Sequence, residues 1–216
     1  MTLLATTPLS VALQEGTACA HAHAEQAPFM SVLLEGGLTV AAFASYTGQL
    51  HAVYVALEHA ARAAASTPAM GALHDPRLER VAALESDLAE LCGPQWRDVI
   101  QVLPETQAYV DHLSALPADG ASALAHHYVR YMGDLSGGQI IARLVGVHYG
   151  LESRHLSFYD FSGVGKVKPY RDAYRRQLDE LLLGAGERET VLAEANRAFG
   201  LNFALLTALG ARHGLA

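Results

Sequence analysis

The sequence has 216 residues, 51% hydrophobic and 17% charged, so the chain can bury a sizeable core and is expected to form one domain over 1–216. Its formal net charge of -7 argues against nucleic-acid binding, because phosphate recognition needs a concentrated basic surface. Cys19 and Cys92 are too few for a disulfide framework, and neither a basic signal region nor an apolar run of membrane-spanning length occurs. We therefore expect a cytoplasmic protein that has no membrane partner.

Apolar residues recur at helical spacing along most of the chain, and no alternating run typical of strands occurs. The fold class predicted is therefore all-α, a bundle of about seven or eight helices. Thr7-Pro8 starts a helix predicted to run to about residue 26, and Pro28 and Gly36-Gly37 bound a short second helix. The remaining helices are predicted over about 39–64, 75–92, 104–116, 121–149, 166–183 and 187–209, with a loop at 151–165.

Two histidines lie close together in the first predicted helix. His21 and His23 differ by roughly 200° around a helix axis, so only one imidazole can face inward. Periodicity does not choose between them, because small or apolar residues accompany both faces. A single histidine among the eleven is more often structural than a metal ligand.

The most unusual stretch of the predicted central helix contains Gly133, Gly137 and Gly138. Each glycine costs about 1 kcal/mol relative to alanine in a helix interior. Bare backbone of this kind allows a flat or bulky ligand to lie against a helix that bends to admit it. Asp134, between the glycines, adds a carboxylate suited to proton chemistry. A hinge or close helix packing is the alternative interpretation of the glycines alone.

The whole string is more specific than its glycines. Residues 130–139, Arg-Tyr-Met-Gly-Asp-Leu-Ser-Gly-Gly-Gln, resemble the distal-helix signature of the heme oxygenase family, with Met132 in place of leucine and nine residues matching. Residues 21–30, His-Ala-His-Ala-Glu-Gln-Ala-Pro-Phe-Met, resemble the family's proximal segment. That register implies His21 as the ligand to heme iron, with Glu25 orienting its imidazole. The resemblance extends in order from Leu9 to about Leu209.

The resemblance also implies the roles of residues on the distal side. Asp134 would hold a water network that passes a proton to the bound oxygen, with the backbone near Gly133 beside it. Tyr54 matches a family tyrosine joined to that network, although an ordinary buried tyrosine is an equal alternative. Further heme contacts are expected from residues of the same signature, Arg130, Gly137 and Gly138.

The basic residues that could bind the two heme propionates are concentrated after residue 165. Residues 171–175, Arg-Asp-Ala-Tyr-Arg, resemble the family's Lys-x-x-Tyr-Arg anchor, which implies a clamp of Arg171 and Arg175. Tyr128 would donate a further hydrogen bond from the distal helix. Gln14 and Ala18 stand where mammalian members carry lysines, so the rotational setting of heme, and with it the bridge that is cut, stays open.

The segment 198–202, Ala-Phe-Gly-Leu-Asn, resembles a family segment that lines the proximal pocket. It implies that Phe199 and Asn202 bind the cofactor, with a simple core role as the alternative for Phe199.

The resemblance implies a monomeric enzyme for which heme is both substrate and cofactor, cleaved with O2 to biliverdin, ferrous iron and carbon monoxide. A separate electron donor, a ferredoxin or a flavin reductase, is needed because the sequence has no flavin or dinucleotide fingerprint. A heme carrier or sensor is the alternative function, and Asp134 between the glycines argues against it. A carboxylate di-iron enzyme would need Glu-x-x-His on two helices, and only residues 152–155 fit, in a predicted loop.

Overall fold

The structure is a computed structural model that describes residues 7–24 and 26–215. Over these ranges the chain forms ten α-helices and four one-turn 3-10 segments without any strand, which confirms the all-α prediction. The helices are α1 (Leu9–Gly16), α2 (Ala18–Ala24), α3 (Pro28–Leu34), α4 (Val40–Ala64), α5 (Val81–Cys92), α6 (Trp96–Val99), α7 (Pro104–Ser114), α8 (Ala121–Tyr149), α9 (Val167–Glu180) and α10 (Ala185–Arg212).

The helix count exceeds the predicted seven or eight for two local reasons. The first predicted helix divides at Thr17, whose φ of -110° and ψ of 0° interrupt the helical backbone while its hydroxyl donates to the carbonyl of Leu13 at 2.7 Å. The second is α6, a single helical turn in the segment between the helices predicted over 75–92 and 104–116. The loop at 151–165 is present, but it contains three 3-10 turns.

The helix predicted over 75–92 is also divided, into a 3-10 turn at Pro76–Leu78 and α5. Its start is displaced because the buried carboxylate of Glu58 accepts the backbone N–H groups of Arg80 at 2.5 Å and Val81 at 3.0 Å. A capping residue on another helix therefore sets the beginning of α5, and a pattern within the segment could not have shown it.

Local signals predicted the starts of α4 and α8 and the ends of α5 and α8, whereas α9 ends three residues before its predicted end and α10 extends beyond both of its predicted ends. The Thr39 hydroxyl accepts the N–H of Ala42 at 3.1 Å, and the Asp119 carboxylate accepts that of Ala121 at 3.1 Å. Gly93 ends α5 at φ 85° and Gly150 ends α8 at φ 67°, a region of backbone space that favours glycine.

The core is built around α4 and α8, with α10 packed along α8. The predicted apolar stripe on α4 is confirmed as buried, and its members are Phe43, Tyr46, Leu50, Tyr54 and Leu57. The helices α1 and α2 pack on α10, and α1 also packs on α9, which brings the N-terminal segment to the middle of α8. None of the described helices has the length and apolar character needed to cross a membrane.

Candidate functional site: a cleft between the N-terminal helices and α8

A cleft of about 720 Å³ lies where α1 and α2 approach α8. One residue from α9 and one from α10 complete its walls. Its lining comprises Ser10, Gln14, Thr17, Ala18, His21, Tyr128, Val129, Met132, Gly133, Ser136, Gly137, Arg175 and Phe199.

One face of α8 supplies the longest wall of the cleft. Residues 129, 132, 133, 136 and 137 follow the i, i+3, i+4, i+7, i+8 spacing of a single helix face. A Cβ built on Gly133 or Gly137 meets no atom within 4 Å, so both glycines leave open space over bare backbone. Such a surface fits a flat ligand. The helix continues through all the glycines, and the Ser136 hydroxyl donates to the carbonyl of Met132 at 2.5 Å, a bond that often bends helices.

Gly138 is placed differently from its two neighbours in the motif. It is buried and absent from the cleft lining, and an added Cβ would lie 3.2 Å from Cδ1 of Tyr159. Its small size is therefore explained by helix packing. In this structure the predicted heme contact of Gly138 has no direct counterpart.

Periodicity did not show which of His21 and His23 faces inward, and the structure places the two side chains differently. His21 lines the cleft, and its ring lies 5.4 Å from that of Phe199, edge to face at 69°. His23 is outside the lining and packs its ring 4.0 Å from that of Phe203. Glu25 lies outside the described residues.

Behind the glycine wall, four predicted site residues form one hydrogen-bonded chain. The guanidinium of Arg130 donates through one terminal nitrogen to Oδ1 of Asn202 at 2.7 Å and through Nε to the Tyr54 hydroxyl at 3.4 Å. The Tyr54 hydroxyl in turn donates to Oδ2 of Asp134. The Arg130 guanidinium also lies 5.2 Å from the centre of the Tyr54 ring. Asp134 and Tyr54 do not line the cleft themselves, but Asp134 directly follows Gly133, which does.

Burial decides the protonation tendencies of this chain. It raises the pKa of Asp134, partly opposed by the charge of Arg130 and by the hydrogen bond from Tyr54, which both lower it. It also raises the pKa of Tyr54 well above its ordinary value, so Tyr54 remains a donor at neutral pH. An acid that holds its proton more readily than an ordinary aspartate therefore adjoins the cleft.

Tyr128 and Arg175 line the cleft together. Burial raises the pKa of Tyr128, partly opposed by the charge of Arg175. Arg175 is held only loosely, with a terminal nitrogen 3.5 Å from Oδ1 of Asp172. Arg171 is not in the lining, and its Nε is buried without a hydrogen-bond partner in the described part of the chain. The two arginines are thus near one another on α9, but only Arg175 reaches the cleft.

Sequence reasoning missed Ser10, Thr17 and Ser136 as lining residues. The signal was available, because residues 10, 14, 17, 18 and 21 share one helical face, as Ser136 does with the glycines. The di-iron alternative finds no support among the described residues, because Glu152 and His155 bracket a 3-10 turn and bond to each other's backbone.

Comparison with known proteins places this geometry in context. The family model described as heme oxygenase matches residues 7–208. The chain is 32% identical over 202 residues to heme oxygenase 1 of Synechocystis, covering 93% of this chain and 84% of that protein. It is 36% identical over 205 residues to human heme oxygenase 1, covering 93% and 71%.

Solved structures of heme oxygenases have the same fold as this chain. The Synechocystis heme oxygenase-1 structure in complex with heme superposes with a TM-score of 0.89 at 30% identity, over 95% of this chain and 94% of that one. The heme oxygenase structure from Leptospira interrogans superposes with a TM-score of 0.87 at 29% identity, over 94% and 100%.

Proposed function

This chain belongs to the heme oxygenase family, an enzyme family that degrades heme, and we propose that the cleft between α2 and α8 is the place where it binds and cleaves its substrate. The observation that carries the proposal is the pairing of His21 on one wall with the bare backbone of Gly133 and Gly137 on another. An imidazole on one side and a glycine face on the other suit a flat porphyrin with one protein ligand to iron.

His21, rather than His23, is proposed as the iron ligand. Its ring lies within the cleft, whereas that of His23 packs on Phe203. Phe199 fixes the orientation of the His21 ring by edge contact, and Glu25 is proposed as a second orienting group. Bound heme would supply the iron that activates O2, and with electrons from a separate donor its porphyrin would be cleaved to biliverdin, with release of ferrous iron and carbon monoxide.

Asp134 is proposed to supply protons through water to the oxygen bound over the glycine face. Its raised pKa supports the role of an acid, and Tyr54 holds one of its carboxylate oxygens in place. Arg130 acts one step further away, because it orients the Tyr54 hydroxyl and is itself held by Asn202. Arg130 and Asn202 are therefore proposed as positioning residues, a refinement of the direct heme contact expected from the sequence.

The propionates are proposed to lie beside Tyr128 and Arg175, with Arg171, whose Nε has no hydrogen-bond partner among the described residues, turning its guanidinium toward them. The face formed by α1 and α2 offers Gln14 and Ala18, which carry no positive charge. Anchoring from α9 alone would set the rotation of heme, and chromatography of the biliverdin isomer made by the wild type and by Arg175→Ala would test this.

Electrons must come from another protein, and we propose a ferredoxin or a flavin reductase acting on a monomeric, cytoplasmic enzyme. The unpaired state of Cys19 and Cys92 supports a reducing compartment.

The decisive experiment is an absorption time course of the purified protein with one equivalent of hemin, before and after ascorbate is added in air. We expect a Soret band that decays into a broad biliverdin absorption. A Soret band that persists when a competent electron donor is present would favour the carrier.

Variants assign the residues in the same assay. His21→Ala should abolish turnover and His23→Ala should not, so comparable losses would refute the assignment of His21. Asp134→Ala should bind hemin but oxidise it unproductively. Unimpaired biliverdin formation by that variant would refute its role.

A further inference from the structure

A second group of side chains with metal-binding chemistry lies outside the cleft, where α7, α8 and α10 meet. Nε2 of His112 is 2.6 Å, and Nε2 of His126 is 3.1 Å, from the same carboxylate oxygen of Glu194, Oε2. One ligand atom from each residue falls within 4.8 Å of the other two. None of the three lines the cleft or takes part in the proposed reaction.

We propose that His112, His126 and Glu194 form a binding site for a divalent transition-metal ion of the zinc type. Two imidazoles and one carboxylate are a donor set that binds zinc with three protein ligands and leaves a fourth position to water. Zinc bonds of about 2.0–2.1 Å in a tetrahedron place neighbouring donor atoms about 3.3 Å apart. The observed distances of 2.6 and 3.1 Å would need to open by about 0.7 and 0.2 Å, respectively.

The residues around His126 favour metal coordination through its Nε2. The hydroxyl of fully buried Tyr109 lies 3.3 Å from Nδ1 of His126, and this contact can hold the ring proton on Nδ1. Nε2 is then the lone-pair nitrogen that faces Glu194 and His112.

Access to the site is possible from one side. The side chain of His126 is 0% exposed, whereas those of His112 and Glu194 are 16% and 19% exposed. A metal ion can therefore reach the donors from the surface between α7 and α10, and water can occupy the fourth position. The alternative is a purely hydrogen-bonded cluster in which two imidazoles share one carboxylate oxygen.

The proposed ion would join the same two helices that carry the Arg130–Asn202 hydrogen bond. His126 precedes Arg130 by one turn of α8, and Glu194 lies about two turns before Asn202 on α10. Its expected effect is therefore to stabilise the fold across α7, α8 and α10. This inference does not depend on the assignment of the cleft.

The test is a zinc titration of the full chain, without heme and with any purification tag removed, followed by calorimetry and thermal unfolding. We expect one saturable equivalent and, with zinc at about 100 times its dissociation constant, a rise in Tm of about 5–10 °C. Cobalt(II) in place of zinc should give the visible absorption of a low-coordinate nitrogen and oxygen site.

The variants are Glu194→Gln and His112→Ala, which alter the two partly exposed ligands and leave buried His126 intact. Both variants should lose the bound zinc equivalent and the zinc-dependent rise in Tm. His59→Ala, which changes an exposed histidine on α4, should keep the bound zinc and the rise in Tm. Circular dichroism of each variant without metal establishes that it is folded. Zinc binding that persists unchanged in both ligand variants, or no saturable equivalent in the wild type, would overturn the proposal.

Discussion

Gly137 provides the sharpest test of the cleft, because its replacement should have opposite effects on folding and on binding. It lies in the interior of α8, where glycine costs about 1 kcal/mol relative to alanine. The added Cβ of Gly137→Ala meets no atom within 4 Å. The variant without heme should therefore gain about 1 kcal/mol of unfolding free energy, which raises Tm by about 2–4 °C for a chain of this size.

The same methyl group would project into the space proposed for the porphyrin. An extra methyl group in a close-packed contact costs roughly 1–3 kcal/mol of binding free energy. The affinity for hemin should therefore fall by about 5- to 150-fold. Thermal unfolding without heme and a Soret titration with hemin measure the two effects on the same preparation.

Two matched variants separate the effects of propensity, packing and ligand contact. Gly200→Ala, in the interior of α10 and outside the cleft lining, also places its Cβ in open space and should stabilise the protein without changing hemin affinity. Gly138→Ala should gain less or lose stability, because its Cβ would lie 3.2 Å from Cδ1 of Tyr159. If Gly137→Ala and Gly200→Ala bound hemin equally well, the ligand could not lie against Gly137.

Three further predictions concern hydrogen-bonded polar groups. Tyr54→Phe should bind hemin normally but turn over roughly 10- to 100-fold more slowly. Its rate–pH profile should shift to higher pH, because the hydrogen bond from Tyr54 lowers the pKa of Asp134 and its loss raises that pKa. An unchanged profile would contradict this link. Asp75→Asn tests the linkage between stability and pH. The pKa of Asp75 is lowered from 3.8 to about 2, chiefly because Arg77 donates a hydrogen bond to its carboxylate. The associated stability, about 1 kcal/mol after allowance for screening of the exposed partner, should be present above pH 4 and disappear as the pH falls toward 2; urea unfolding of both proteins between pH 5 and 2.5 should show their difference shrinking. Gln49→Leu should cost about 2 kcal/mol in urea unfolding at pH 7, because buried Gln49 bonds backbone groups at 45, 101 and 103 that would lose their partner; a loss below 0.5 kcal/mol would mean that water replaces the amide.

Features encoded within one helix were predictable from the sequence. The buried stripe on α4 and the ends of α4 and α8 follow from apolar spacing and from Thr39, Asp119 and Gly150, which act on backbone groups a few residues away. The division of the predicted 75–92 helix was not predictable, because Glu58 caps α5 from 22 residues away in the chain. The grouping of His112, His126 and Glu194 was missed for the same reason, since three separate helices contribute to it.

Inside the site too, features within one helix were predictable and contacts between helices were not, which explains why some residue roles could be predicted only from the family resemblance. Helical spacing predicts that Arg130 and Asp134, four residues apart, lie on one face of α8, but it cannot show which residue of another helix meets that face. The structure supplies Tyr54, 80 residues from Asp134, and Asn202, 72 residues from Arg130. These contacts turn a pair of charges on one helix into a chain from α10 through α8 to α4 that ends on the Asp134 carboxylate. An acid fixed in this way can lie beside the glycine face without occupying the space that the ligand needs.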